Sequence, residues 1–154
     1  MNVPLEEPRS ENDLFYVCSL IDYTARKTKN RRRDVVNRMG RTVISHYYEF
    51  ADVFHCENLE KVSDQIIEEC SIPIVCFDNV ADCRYHVPTY WDIGKVYKRL
   101  ILKICQNEGG DFIDTLIRVY NSWISDKIDD YNTDMYYQTA AYLYASWQAG
   151  EPVL

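Results

Sequence analysis

Apolar residues recur every three or four positions along most of this 154-residue chain, which is the spacing of one face of an α-helix. None of the five prolines falls inside such a stripe, where proline would break the helix. The pattern therefore predicts an all-α fold. The clearest stripe comprises Ile93, Val96, Tyr97, Leu100, Ile101 and Ile104.

The length is that of one domain, and we predict six to seven helices in a single domain over residues 12–154. Residues 1–11 contain prolines and acids and are predicted to form a loose N-terminal arm. The segment 71–88 loses the helical period and predicts an irregular proline-containing loop, with a short β-hairpin across Phe77 and Val80. Residues 90–129 predict an αα-hairpin that turns at two glycines.

Capping signals mark several helix ends. Asn30 is predicted to cap a short second helix that Gly40 ends. Thr89, with Asp92 three residues later, predicts a capping box, and Asp111 is predicted to cap the helix after the glycines.

Positive charge is concentrated in one segment of an otherwise acidic chain. The whole chain has a net charge of −7, and outside this segment there are nine basic against 23 acidic residues. The segment has one acid, Asp34, and eight basic residues, which are Arg26, Lys27, Lys29, Arg31, Arg32, Arg33, Arg38 and Arg41.

This basic segment has two functional interpretations. It could bind nucleic-acid phosphates, with the helices on either side of Gly40 arranged as a helix-turn-helix. However, the second of these helices carries Glu49 and Asp52, and nucleic-acid binders usually lack such an acidic background. We favour an amphipathic scaffold helix that delivers a positive turn either to the protein's own acidic helices or to an acidic protein partner.

The candidate metal ligands have unsuitable spacing. Cys70, Cys76, Cys83 and His86 are separated by more residues than the cysteine pairs of structural zinc sites. Asp52 and His55 form only one of the carboxylate–histidine pairs that a di-iron bundle needs. A calcium-loop pattern that begins at Asp130 lacks its glycine and its final glutamate. We therefore predict no metal and no cofactor.

The chain has none of the short sequence motifs of common hydrolases, nucleotide-binding enzymes or zinc proteases. His46, His55 and His86 could act as bases, but the sequence alone does not place them in a cleft. No catalytic residue is predicted, and the interpretation leans away from an enzyme.

The stretch MNVPLEEPRSEND has neither the basic nor the apolar region of a secretory signal, and no apolar run could span a bilayer. We therefore expect a cytoplasmic protein with no membrane association. Its six cysteines are then expected to be reduced.

Thirteen tyrosines and three tryptophans are an unusual excess. Tyr97 and Tyr120 lie within apolar stripes and are predicted to be core residues. Trp91 and the pair Tyr136–Tyr137 lie outside the stripes. Because interfaces are enriched in tyrosine and tryptophan, these three are predicted to contact a partner.

Several runs together resemble a family of small uncharacterised all-helical bacterial proteins. They are DLFYVCSLIDYTARKTKNRRRDVVNRMG, YYEFADVFHCENLEKVSDQIIEEC, WDIGKVYKRLI and VYNSWISDKIDDYN. The stretch ADVFHCENLEKVSD also resembles a shorter helical family of unknown function. Both resemble accessory or antitoxin-like components associated with ADP-ribosyltransferase-like toxins. The resemblance implies an accessory or antitoxin-like role and carries over no catalytic residue.

The combined prediction is a non-enzymatic helical protein-interaction module, antitoxin-like or an accessory partner of a cytoplasmic enzyme. The alternative is a nucleic-acid-binding regulator that uses residues 26–41. The predicted partner-binding residues are Arg26, Lys27, Lys29, Arg31, Arg32, Arg33, Trp91, Tyr136 and Tyr137.

Overall fold

A computed structural model describes residues 9–154 and confirms the all-α fold, since this part of the chain forms helices and no strand. The predicted arm lies outside the described residues except for positions 9–11, which belong to the first helix. The α-helices are α1 (Arg9–Thr28), α2 (Arg32–Glu49), α3 (Ala51–Phe54), α4 (Leu59–Glu69), α5 (Asn79–Asp82), α6 (Tyr90–Glu108), α7 (Phe112–Tyr120), α8 (Trp123–Ile128) and α9 (Ala140–Ala149), with a 3-10 turn at Met135–Tyr137.

Most of the predicted helix ends are confirmed. Thr89 and Asp92 form a reciprocal capping box at the start of α6, and the Asp111 carboxylate accepts from the backbone N–H of Asp114 in α7. Gly40 has φ 71° and interrupts α2, a backbone geometry that glycine adopts without strain. Local sequence therefore determines these boundaries.

The capping prediction for Asn30 is wrong. Arg31 occupies the N-cap position of α2 and makes no side-chain cap. Asn30 is buried, and its amide instead donates to the Pro73 carbonyl at 2.8 Å and to the Thr28 hydroxyl at 2.8 Å. The Asn30 side chain thus makes a long-range hydrogen bond to Pro73 and does not cap the helix.

The segment 71–88 is largely irregular, as predicted, but the hairpin across Phe77 and Val80 is wrong. The short helix α5 stands there instead, because the Asp78 side chain caps it by accepting from the Ala81 N–H at 3.0 Å. Backbone hydrogen bonds from Val75 to the carbonyl of Thr28 and from Phe77 to that of Lys29 attach this loop to the end of α1.

The predicted hairpin of residues 90–129 contains a break that the apolar stripe did not show. The chain turns at Gly109 and Gly110 from α6 into α7. Helix α7 then ends at Asn121, its C-cap, and a separate helix, α8, follows. At the break, the Asn121 and Asn37 amides exchange two hydrogen bonds, at 2.8 and 2.9 Å. This exchange joins the break to α2.

The core is organised around α1, which packs most extensively against α6 and also contacts α2 and α4. The two principal helices meet closely at Ser19 and Gly94, where a Cβ added to Gly94 would lie 2.9 Å from both the N and the Cα of Ser19. Among the described residues, no helix is long and apolar enough to span a membrane.

Candidate interaction surface

The basic segment begins with a buried ion-pair network. Asp22 of α1 and Arg32 of α2 are both fully buried, and Arg32 Nε donates to Asp22 Oδ1 at 2.7 Å. Arg26 Nε donates to the other oxygen of Asp22, also at 2.7 Å. One carboxylate thus holds two guanidinium groups, with charge-assisted hydrogen bonds of short length.

Both arginines extend the network to distant parts of the chain. Arg26 Nη2 donates to the Pro88 carbonyl at 2.8 Å and to the Tyr131 hydroxyl at 3.1 Å, and Arg32 Nη2 lies 3.4 Å from the same hydroxyl. Arg26 and Arg32 were predicted to bind a partner. The structure places the Arg32 side chain in the interior, where no partner reaches it in this conformation, and leaves the Arg26 side chain 18% exposed.

The more exposed basic side chains also find partners within the chain. Arg31 lies 3.9 Å from Asp126 and over the ring of Phe77, and Arg33 pairs closely with the same aspartate. Such exposed pairs are individually weak, but each directs a positive charge toward an acid of another element. The remaining contacts are Lys27 with Asp64 and Glu60, Lys29 with Asp78, Arg38 with the Ser71 carbonyl, and Arg41 with Asp111 and Asp114.

A second buried carboxylate, Asp129, lies beside this network. Tyr97 Oη donates to its Oδ1 at 2.7 Å, and the Ser125 hydroxyl lies 3.3 Å from its Oδ2. Desolvation raises the pKa of Asp129 to about 7, although the nearby charge of Arg32 opposes the shift. A nearby second negative charge, on Asp22, adds to the increase.

The raised pKa of Asp129 predicts that the free energy of unfolding falls as the pH rises from about 4 to about 7. Its pKa is higher in the folded chain than the ordinary value of 3.8, so in this range the folded state holds a proton that the unfolded state has released. The stabilising contribution is complete below pH 4 and is lost as the pH rises through 7. Urea unfolding at a series of pH values measures the change.

The substitution Asp129→Asn is the control, since it keeps the shape and cannot ionise. This variant should show a flatter pH profile over the same range than the native chain does. A native profile that rises from pH 4 to pH 7, with the same rise in the variant, would contradict the assignment.

Three tyrosines form the most exposed aromatic patch near the network, which we call the tyrosine surface: Tyr85, Tyr136 and Tyr137. The side chains of Tyr85 and Tyr137 are 69% and 67% exposed. The ring of half-buried Tyr136 makes edge contacts with Tyr137 at 5.0 Å and with buried Tyr131 at 5.7 Å. The exposed ring of Tyr137 is therefore linked through Tyr136 to Tyr131, a residue of the network.

Two grooves adjoin the tyrosine surface and share Tyr136 and Tyr137. One, of about 280 Å³, lies toward α6 and includes His86 and Arg99. The other, of about 480 Å³, includes Tyr85. Together they give this surface the concave relief into which a partner's side chains could pack.

The predicted residue Trp91 lines a separate groove. Trp91 is 39% exposed, and its ring stacks on Phe15 of α1, with ring centroids 5.4 Å apart and planes 12° apart. The sequence prediction therefore combined two different surfaces, one around Trp91 and the other around Tyr136 and Tyr137.

The histidines and cysteines do not gather at one place, although two of them are neighbours. His46 packs among the rings of Tyr47, Phe50 and Phe54, and His55 lies beside Cys56. Over residues 9–154, no three side chains of histidine, cysteine, aspartate or glutamate are arranged to hold a metal ion. Cys70, Cys76, Cys83 and His86 are accordingly not brought together, and the six cysteines are unpaired.

Sequence reasoning did not identify Asp22, Asp129 or Tyr131. Asp22 had a signal, since it falls inside the apolar stripe of α1 and four residues before Arg26. An acid on a buried helical face requires a partner. Asp129 and Tyr131 follow the end of α8, where the sequence shows no period that would indicate burial.

No protein-family model matches this chain, and no curated protein and no solved structure matches it significantly. The resemblance to toxin-associated helical proteins stays a prediction.

Proposed function

We propose that this chain is a helical protein-interaction module that binds its partner through the tyrosine surface. The observation that carries the proposal is the exposure of Tyr85 and Tyr137 at the rim of one groove. Large aromatic side chains beside a concavity are the commonest anchors of protein interfaces.

The buried network supports this proposal because it prepares the surface for binding. Tyr131 receives hydrogen bonds from Arg26 and Arg32, and its ring supports Tyr136. An aromatic surface that is already ordered loses less conformational entropy on association than a flexible one does.

The ion pairs of the basic segment weigh against the alternative of a nucleic-acid-binding regulator. Phosphate binding requires cations that can exchange their counterions for the nucleic acid. Here Arg32 is buried, and Arg31, Arg33 and Lys27 already face carboxylates of the same chain. Displacing the exposed pairs would cost a phosphate little, so the stronger point against phosphate binding is the complete burial of Arg32.

The sequence resemblance adds an expectation about the partner. We propose that it is a cytoplasmic enzyme of the ADP-ribosyltransferase-like toxin class, toward which this chain acts as an antitoxin or accessory component. The support for this part of the proposal is the resemblance alone.

The double substitution Tyr85→Ser and Tyr137→Ser is expected to weaken partner binding at least tenfold. Each change removes an exposed ring that would be buried against the partner, and tenfold corresponds to about 1.4 kcal/mol. The measurement is affinity purification of the tagged chain from its native cells, with quantitative mass spectrometry and then a titration of the recovered protein.

Phe50→Ser is the matched control, because Phe50 is also an exposed aromatic residue but lines neither groove of the tyrosine surface. This control should retain the partner. Equal recovery by the double variant and the native chain would overturn the proposed surface. Labelled duplex DNA or RNA that binds at low salt, with affinity falling steeply as salt increases, would favour the nucleic-acid alternative instead.

A further inference from the structure

The groove around Trp91 has the dimensions and composition of a binding site. It lies between α1, α3 and the start of α6 and has a volume of about 610 Å³, within the range of small-ligand pockets. We call it the Trp91 groove. Its principal lining residues are Arg9, Asp13, Phe15, Tyr16, Asp52 and Trp91.

One wall of the Trp91 groove is aromatic and already ordered. Trp91 stacks flat on Phe15, and Tyr90 packs against the same indole at 5.1 Å. The partly exposed Trp91 therefore lines the groove with a ring whose position its neighbours already fix. Indole is the aromatic ring that binds cations most strongly, and guanidinium groups also stack on it.

The groove is also lined by a guanidinium group that belongs to the chain itself. Arg9 Nη2 lies 2.5 Å from the Asp52 carboxylate of α3, and Arg9 Nε lies 3.9 Å from the Asp13 carboxylate of α1. Arg9 is 69% exposed at the first position of α1. The groove thus contains two carboxylates that bind a cation. That cation is at present the largely exposed side chain of Arg9.

Two residues that line the groove, Asp13 and Tyr16, carry incompletely satisfied groups. Desolvation raises the pKa of the Asp13 carboxyl above its ordinary value, and Arg9 offsets only part of that shift. The hydroxyl of Tyr16, a residue only 6% exposed, is buried without a hydrogen-bond partner among the described residues. A buried hydroxyl without a partner is costly to the folded chain.

We propose that the Trp91 groove receives an arginine side chain of the protein partner, which displaces Arg9 and stacks on Trp91 while pairing with Asp13 and Asp52. The proposal rests on the proposed function and deepens it, since it specifies a basic segment in the partner. The net charge of −7 is complementary to such a segment, and several of the chain's own cations, such as Lys29, Arg32 and Arg41, are engaged in internal ion pairs.

The test uses a defined probe, benzoyl-arginine amide, with benzoyl-citrulline amide as its neutral isostere. The benzoyl ring fills the apolar part of the groove, and the guanidinium reaches the carboxylates. Nuclear magnetic resonance of the full-length chain follows the indole N–H of Trp91. The indole of Trp147 serves as a reference, since it packs on Arg118 and does not line the groove.

We expect the arginine probe to shift the Trp91 signal at concentrations at least tenfold below those of the citrulline probe. Arg9→Ala should strengthen binding of the arginine probe, because the probe no longer has to displace Arg9. The gain should be only about threefold to fivefold, since an exposed ion pair is weak. Asp13→Asn combined with Asp52→Asn should remove the preference for arginine. Circular dichroism verifies that each variant is folded.

Equal binding of the two probes, or an Arg9→Ala variant that binds neither, would overturn the inference. The Tyr85→Ser and Tyr137→Ser variant separates this inference from the proposed function, because it should still bind the arginine probe. If the native chain recovers a partner through the tyrosine surface but binds the arginine and citrulline probes with equal affinity, the groove inference alone fails. If the probe binds as expected but no partner depends on the tyrosines, the proposed surface alone fails.

Discussion

Replacing Asp22 by asparagine is expected to lower the free energy of unfolding by at least about 3 kcal/mol, because it leaves a buried arginine without its charge partner. Asp22 accepts hydrogen bonds from both Arg26 and Arg32, and the Arg32 side chain is fully buried. Arg32 cannot reach water without opening the contact between α1 and α2. Urea denaturation monitored by circular dichroism measures the loss.

Two controls make the Asp22 prediction specific to burial. Asp64→Asn removes the exposed partner of Lys27 and should cost less than about 1 kcal/mol. Combining Asp22→Asn with Arg32→Met removes the stranded charge and should recover part of the loss, as apolar replacement of buried ion pairs often does. If Asp22→Asn were no more destabilising than Asp64→Asn, the network would not have the structural role assigned to it.

Gly94→Ala is expected to destabilise the protein by about 1–3 kcal/mol through overpacking. In an exposed helix the same change would stabilise by about 1 kcal/mol, because alanine has the higher helix propensity. At Gly94 the new methyl group would lie 2.9 Å from the Ser19 N and Cα, which are backbone atoms that move only if α1 moves. The sign of the effect therefore reports the close crossing of α1 and α6.

The neighbouring substitution Lys95→Ala is the control, since Lys95 is exposed on the same helix and should change stability by less than about 0.5 kcal/mol. Adding Ser19→Ala to Gly94→Ala should restore only part of the loss, because it removes the hydroxyl and leaves the backbone in place. A Gly94→Ala variant as stable as the native chain would show that the two helices can separate without cost.

Helix type and most helix ends could be predicted from the sequence because their causes are local. The stripe of Ile93, Leu100 and Ile104 is buried, and Thr89 caps α6 by contacts within one turn. The same local reasoning was wrong at Asn30 and at Phe77–Val80. In both places, contacts with residues distant in sequence or an unexpected short helix determined the structure.

The candidate surfaces could be predicted only in part. The position of Trp91, Tyr136 and Tyr137 outside the apolar stripes indicated that they would contact a partner. Trp91 and Tyr137 are exposed, and Tyr136 is half-buried. The sequence pattern did not indicate that they line separate grooves, or that Asp13 and Asp52 would converge on Arg9. This convergence depends on how α1 and α3 pack, and the spacing of residues along the sequence does not indicate that packing.

The basic segment shows most clearly which properties follow from the sequence and which follow from the tertiary structure. The sequence by itself determined an all-α chain with a dense group of cations that runs from the end of α1 into α2. Only the tertiary structure decided which of those cations are buried and which acids they face. The physical reason is that a charge is stable in the interior only beside a matched partner, and Asp22 and Tyr131, which lie 109 positions apart, meet Arg32 only when the helices pack.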